Sequence, residues 1–276
     1  MTVVITVAIG VLRTVLFLVV MQWIGGSPAF AVGVHEDKFP RIPEPMVFDL
    51  VRPLGSVGGD FEINSLFQQS MGSEGGKLDI APEFELAVLD GFGIEYERIL
   101  KDDATNAHKV AFQGLFGTPV DGHLVHGWQY FGKLDTHKKT FKSTALYLVG
   151  HRLNREWSMM HMMGVQQNDK SEGGKIEGVD GDTKGIDRDA KGVSGLYNFS
   201  LFHNTTSWLV SGLETNFSFQ SSGIQEAMIM PQVHIHFAEQ YTVQLGHGVE
   251  RRSDGDFTPL ITWRVIFSLK DFFGFF

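Results

Sequence analysis

From Gly59 onward the chain alternates between apolar and polar residues with a period of two, which restricts its possible folds more than any other feature. In one stretch, Ile229 and Val233 fall on one side while Gln232 and His234 fall on the other. Successive side chains of a β-strand point to opposite faces of its sheet. The pattern therefore predicts strands that each have one apolar and one polar face.

We predict about twelve such strands, most of them about 10–14 residues long, which is enough for a tilted crossing of a hydrocarbon core. They lie at residues 59–69, 80–90, 92–101, 106–117, 122–134, 138–152, 156–168, 193–204, 207–220, 225–238, 241–252 and 257–269. Tight connections alternate with longer ones, as a closed antiparallel barrel with both termini on one side of a membrane requires. Strand counts of about ten or about fourteen remain open, and a soluble β-sandwich is the alternative fold.

The composition excludes several classes of protein. A mean hydropathy of −0.02 argues against a helical membrane protein but suits strands with alternating faces. A formal net charge of −9 argues against a nucleic-acid partner. The absence of cysteine excludes disulfides, thiolate catalysis, cysteine-ligated zinc and a lipoprotein anchor.

The first residues have the features of an export signal. Arg13 precedes an apolar region over residues 14–24, and the small residues Ala29 and Ala31 flank Phe30. An uncleaved helix would instead place Arg13 near the bilayer centre, at a cost of about 2.5–3.5 kcal/mol. We therefore predict a signal peptide over residues 1–31.

Residues 32–58 differ from the rest of the chain in their proline content. Pro40, Pro43, Pro45 and Pro53 disfavour regular sheet. We expect a proline-rich periplasmic segment, with a partial plug inside the barrel as the less favoured alternative. The barrel itself is predicted over residues 59–276.

Four glutamates on two adjacent strands raise a question of register. A two-residue turn at Asp90-Gly91 would direct carboxylates to both faces, whereas a three-residue turn over residues 90–92 pairs Glu85 with Glu97. We predict the three-residue turn, because a charged group that faces lipid is destabilising. The cost is about 2–4 kcal/mol for a basic residue at mid-depth and is smaller for an acidic one. The predicted lumen-lining residues are Glu83, Glu85, Glu95, Glu97, Lys109, Glu214 and Arg264.

Inward carboxylates that face each other repel, so they need a counter-charge, water or an ion. The candidate cations are Lys109, Arg98, Arg252 and Arg264. Two interpretations follow: a network of ion pairs that holds the barrel's shape, or a lining that favours cations.

Two histidines spaced two apart on one strand form the candidate metal site. His234 and His236 share a face with Met228 and Met230, and histidine combined with thioether suits copper better than hard cations. The alternative is that methionine fills space and the histidines join hydrogen-bond networks.

We expect no cofactor. Because the chain lacks a G-x-S-x-G motif, an enzymatic role is disfavoured and no catalytic residue is assigned.

The leader, the period-two body and the aromatic C-terminus at Phe276 together resemble Gram-negative outer-membrane β-barrel proteins. Alternation fails at Gly274 and Lys270, so the last amphipathic strand ends near Leu269. The resemblance implies an all-β, closed, antiparallel transmembrane β-barrel in the bacterial cell outer membrane. Its implied partners are outer-membrane lipids, small solutes and, during biogenesis, the barrel-assembly machinery.

The expected function is a narrow channel or binding protein for small polar or cationic solutes. A lipid- or lipopolysaccharide-modifying enzyme and a non-conducting structural or surface-binding barrel are the alternatives.

Overall fold

The computed structural model describes residues 40–48, 50–71, 76, 78–101, 104–120, 122–168, 192–253 and 255–270. The predicted signal peptide, residues 1–31, and the aromatic terminus at Phe276 lie outside the described residues. Within those ranges, no helix is long and apolar enough to cross a membrane.

Twelve antiparallel strands close into one barrel, which confirms the predicted architecture. Each strand pairs with its neighbours in the sequence, and β1 pairs with β12 from Phe61–Leu269 to Ser70–Leu260. The strands are β1 Phe61–Ser70, β2 Leu78–Leu89, β3 Phe92–Lys101, β4 Ala104–Val120, β5 Leu124–Asp135, β6 Phe141–Arg152, β7 Trp157–Asn168, β8 Gly192–Asn204, β9 Leu209–Gln220, β10 Gly223–Ala238, β11 Tyr241–Arg252 and β12 Phe257–Leu269.

The two faces of the sheet differ as the alternation predicts. On β3, Glu95 and Glu97 are 3% and 7% exposed, whereas Tyr96 between them is 42% exposed. Because a closed sheet has only an inside and an outside, the buried polar face is the lumen and the exposed apolar face surrounds the barrel. Large apolar side chains on the outer face include Ile63, Phe84, Val110, Phe112, Tyr130, Tyr147, Val165, Ile229 and Leu245.

The β2–β3 hairpin reaches the expected orientation by a different route, so the predicted three-residue turn is wrong. Leu89 pairs with Phe92 across a two-residue turn, in which Gly91 has a φ of 71° that favours glycine. A bulge between Ala87 and Leu89 then shifts the register by one residue.

The bulge restores the inward orientation of all the predicted carboxylates on this hairpin. Glu85 pairs with Glu95 and Glu83 with Glu97, rather than Glu85 with Glu97 as predicted. All four side chains are buried. An extra residue within the strand therefore does what a longer turn was expected to do.

The two ends of the barrel carry connections of different length. We call the end with the β2–β3, β4–β5, β6–β7, β8–β9 and β10–β11 turns the turn end, and the opposite end the loop end. The chain enters β1 at the turn end, where the Gly59 amide donates to the Ala87 carbonyl at 2.8 Å.

Residues 40–48 and 50–58, which we call the inner segment, pack inside the barrel. Met46, Leu50 and Val51 are fully buried. A Cβ on inward-facing Gly150 would lie 2.5 Å from Ile42 Cδ1, so the segment approaches the wall where the wall has no side chain. The inner segment is the described part of residues 32–58, for which the sequence left a partial plug as the less favoured alternative.

Candidate functional site in the barrel interior

Glu214 on β9 holds the middle of the inner segment through its carboxylate. Oε2 accepts hydrogen bonds from the amides of Met46 at 2.8 Å and Val47 at 3.1 Å, and Oε1 accepts one from Phe48 at 2.8 Å. The Asn216 amide also donates to Oε1 at 2.8 Å. Three successive backbone amides converge on this carboxylate, which is a favourable environment for a buried anion.

Gln113 on β4 makes a second attachment. Its Oε1 accepts from the Val51 amide at 3.1 Å, and its Nε2 donates to the Arg52 carbonyl at 2.7 Å. A single side chain therefore satisfies a donor and an acceptor of one peptide stretch, much as a neighbouring strand would.

Arg52 makes the third attachment through its charge. Its guanidinium contacts Glu62 at 3.0 Å and Glu85 at 3.5 Å, and all three side chains are buried. Burial alone would lower the pKa of Arg52, but the adjacent carboxylates of Glu62 and Glu85 raise it overall. The Ser268 hydroxyl donates to Glu62 and the Asn64 amide donates to Glu85, both at 2.6 Å.

The remaining predicted lumen carboxylates also face cations. Lys109 lies 2.9 Å from Glu95 and also pairs with Glu97. Arg264, fully buried on β12, lies 4.0 Å from Glu83. The predicted lumen residues of β2, β3, β4 and β12 thus form one inward-facing network, whereas Glu214 lies apart from it and holds the inner segment.

Three of these carboxylates are also close enough to share a metal ion. Ligand atoms of Glu83, Glu95 and Glu97 all lie within 4.8 Å of one another. Lys109 already pairs with two of them, which supplies positive charge at the place where a metal ion would. The cluster is therefore accounted for as part of the ion-pair network.

His234 and His236 share the inward face of β10, but each contacts a different neighbour. His234 Nε2 lies 3.2 Å from Gln232 Oε1, and its ring lies 5.6 Å from the Phe202 ring. His236 Nδ1 lies 2.8 Å from Thr242 Oγ1. Copper binding by these two histidines stays a prediction.

Sequence reasoning missed one feature of the interior: part of the lumen wall is apolar rather than polar. Buried apolar side chains of β5 to β9 form a continuous apolar wall against the inner segment's Ile42, Leu50 and Leu54. The wall comprises Val125, Leu146, Leu148, Met160, Met162, Phe202 and Val210. A second apolar contact buries Met46 among Met228, Met230 and Leu260. The inner segment therefore covers surface that would be unfavourable in a water-filled lumen.

Comparison with solved structures relates this barrel to known proteins. A NanC porin superposes with a TM-score of 0.57 at 8% identity, covering 75% of this chain and 99% of that one. The KdgM porin in complex with disordered oligogalacturonate gives 0.53 at 10% identity, covering 76% and 99%. The barrel has the fold of outer-membrane porins.

A third similar structure is an outer membrane channel from Pseudomonas putida F1. It gives a TM-score of 0.51 at 9% identity, covering 78% of this chain and 98% of that one. No protein-family model matches the sequence, and no curated protein matches it. At these identities the similarities show the fold alone.

Proposed function

We propose that the protein is a narrow channel for small polar solutes in the bacterial outer membrane, and that its inner segment restricts the lumen. One observation carries the proposal: a closed barrel with an apolar outside and a polar network on part of its inner wall holds the inner segment within it. An apolar belt on a closed sheet suits a lipid bilayer, because every strand is paired and no polar backbone edge faces the acyl chains.

The placement of charges decides which solutes fit. The five glutamates of β1 to β3 face the cations Arg52, Lys109 and Arg264. Much of their negative charge is therefore offset within the wall, which supports the shape-holding network over the cation-favouring lining. We accordingly propose polar solutes rather than cations as a class.

The similar structures agree with this role. Two are porins and one is an outer membrane channel, and the KdgM porin was solved in complex with disordered oligogalacturonate. Contacts with outer-membrane lipids and with the assembly machinery remain predictions for this chain.

Liposome swelling tests the function directly. Vesicles containing the purified full-length protein should swell in isosmotic small sugars, at rates that fall as the sugar grows, and protein-free vesicles should not. Swelling no faster than in protein-free vesicles would contradict a channel and favour the non-conducting structural barrel.

A reversible cross-link tests the role of the inner segment. Gly246 faces Met46 so closely that a Cβ there would collide with Met46 Cε, and the chain has no cysteine of its own. A Met46→Cys/Gly246→Cys pair, bridged by a short bifunctional thiosulfonate, should give slower swelling that a reducing agent reverses. The Met46→Cys single variant, treated identically, is the control. Equal swelling rates for the bridged and the reduced pair would contradict the idea that the inner segment moves to admit solute.

A further inference from the structure

Three lysines lie side by side on the inner face of adjacent strands. Lys109 on β4 pairs directly with Lys133 on β5, and Lys133 pairs directly with Lys142 on β6. Directly opposed residues on one face have Cβ atoms about 4.5–5.5 Å apart, and like charges at that spacing repel. The row therefore costs stability unless negative charge balances it.

The wall balances only the first of these lysines at close range. Lys109 pairs with Glu95 and Glu97. Among the residues that the structure describes, no carboxylate lies within ion-pair distance of Lys133 or Lys142. Both side chains are partly buried, so water screens them less than it would on an open surface.

Other polar groups lie beside the row. Next to Lys142 on the inner face of β6 is Thr144, whose hydroxyl accepts from Gln166 at 3.1 Å. Lys133 is attracted by Glu97, which already pairs with Lys109, and is repelled by Lys109, Lys142 and Lys101. Lys101 pairs with Asp79 at 2.8 Å. Across the lumen, Glu226 of β10 interacts with Lys142, and it also interacts with Glu250 and Arg252.

In the loop-end half of the lumen, Lys133 and Lys142 lie on the β4–β6 wall, and Glu226 and Glu250 lie on the β10–β11 wall, where Arg252 pairs with Glu250. Glu226 attracts Lys142 but is too far away to form an ion pair with it. The Lys133 and Lys142 side chains are only partly buried, so a solute anion in the lumen can approach their ammonium groups. An ammonium group binds carboxylate or phosphate as a strong point charge.

We propose that Lys133 and Lys142 form an anion subsite that takes the carboxylate or phosphate group of a small acidic solute. Thr144 and Gln166 supply the neighbouring hydroxyl and amide. The subsite rests on the proposed function only in assuming that solutes enter the lumen, and it narrows their class to polar molecules with an anionic group. It also accounts for the repelling lysine row, because a bound anion supplies the missing charge.

Calorimetric titration of the purified full-length protein in detergent with citrate tests the subsite at low ionic strength. We expect one saturable site. Lys133→Gln and Lys142→Gln should each raise the citrate Kd by about tenfold, and the double variant should show no saturable binding. Lys133→Arg should retain binding. The control Lys138→Gln removes a lysine from the exposed β5–β6 turn and should leave the Kd unchanged.

Three outcomes would overturn the subsite: wild-type protein that shows no binding at about 10 mM citrate, a double variant that binds like wild type, or equal weakening by Lys138→Gln. Heat-modifiable migration on unboiled gels establishes that each variant is folded before titration. Binding in detergent needs no conduction. Citrate binding without liposome swelling would therefore contradict the proposed channel but not the subsite. Swelling together with unchanged citrate affinity in the double variant would contradict the subsite but not the channel.

Discussion

Replacing Glu214 with alanine should release the inner segment from the barrel wall. The carboxylate accepts the amides of Met46, Val47 and Phe48, and Met46 is fully buried. Glu214→Ala removes all three hydrogen bonds at once without altering the segment's own sequence. The barrel strands keep their backbone pairing, so the change acts chiefly on docking.

The size of the effect follows from the exposure of each amide. A buried donor left without an acceptor costs about 1–3 kcal/mol. The cost for the buried Met46 amide should lie near the upper limit of this range. The costs for the amides of Val47 and Phe48 should lie near the lower limit, because both residues are partly exposed. The total is about 3–5 kcal/mol, which lowers the ratio of docked to undocked segment by about 10²–10⁴-fold.

Hydrogen–deuterium exchange measured by mass spectrometry reads this ratio from the peptide that contains Met46, Val47 and Phe48. Exchange of a protected amide proceeds through local opening, so its rate follows the open population. In detergent micelles or nanodiscs, Glu214→Ala should exchange about 10²–10⁴-fold faster than wild type in this peptide. Strand peptides should keep their protection.

Two further variants make the test specific. Glu214→Gln keeps one acceptor oxygen, so its exchange should lie between wild type and alanine. Glu250→Gln removes another inward carboxylate, one that contacts Arg252, and should leave the peptide's protection unchanged. Exchange in Glu214→Ala within about threefold of wild type would refute the reasoning, because docking would then not depend on the carboxylate.

Three other substitutions probe the rest of the account. Gly246→Val places a side chain against Met46 and should lower the free energy of unfolding by about 1–3 kcal/mol, whereas Gly195→Ala, with no atom within 4 Å of its Cβ, should be neutral; equal urea midpoints would contradict this. Arg52→Met removes the cation that contacts the buried carboxylates of Glu62 and Glu85 and should cost about 3–5 kcal/mol in the same assay, with a smaller loss for Arg52→Lys. Phe84→Arg puts a charge on the outer face and should cost about 2–4 kcal/mol in lipid vesicles if Phe84 lies near mid-depth; unchanged stability would place that face away from lipid.

The strands and their faces could be predicted because both depend on local alternation. The predicted bounds of β3, β11 and β12 coincide with those of the structure, and the inward direction of Glu83, Glu85, Glu95 and Glu97 followed from keeping charge out of lipid. The hairpin register could not be derived in the same way. A bulge changes which residues pair without changing the alternation on either side of it.

Docking of the inner segment could not be predicted from local pattern, because it depends on contacts between distant parts of the chain. Met46 and Glu214 are separated by 168 positions. A signal was nevertheless present in β6, where Leu146 and Leu148 make the lumen face apolar opposite the outward Tyr147. A strand that is apolar on both faces must be covered on both. Here the inner segment covers the inward face.

Site-directed spin labelling of β10 tests the central claim most directly, since a chain without cysteine can be labelled at one chosen position at a time. Power saturation in lipid vesicles compares collision with oxygen, which concentrates in acyl chains, with collision with a water-soluble nickel complex. Labels at Ile229, Val233 and Ile235 should collide preferentially with oxygen, and labels at Met230 and Gln232 should not. A profile without a period of two, or one with its oxygen maxima at Met230 and Gln232, would contradict a closed barrel whose apolar face contacts lipid.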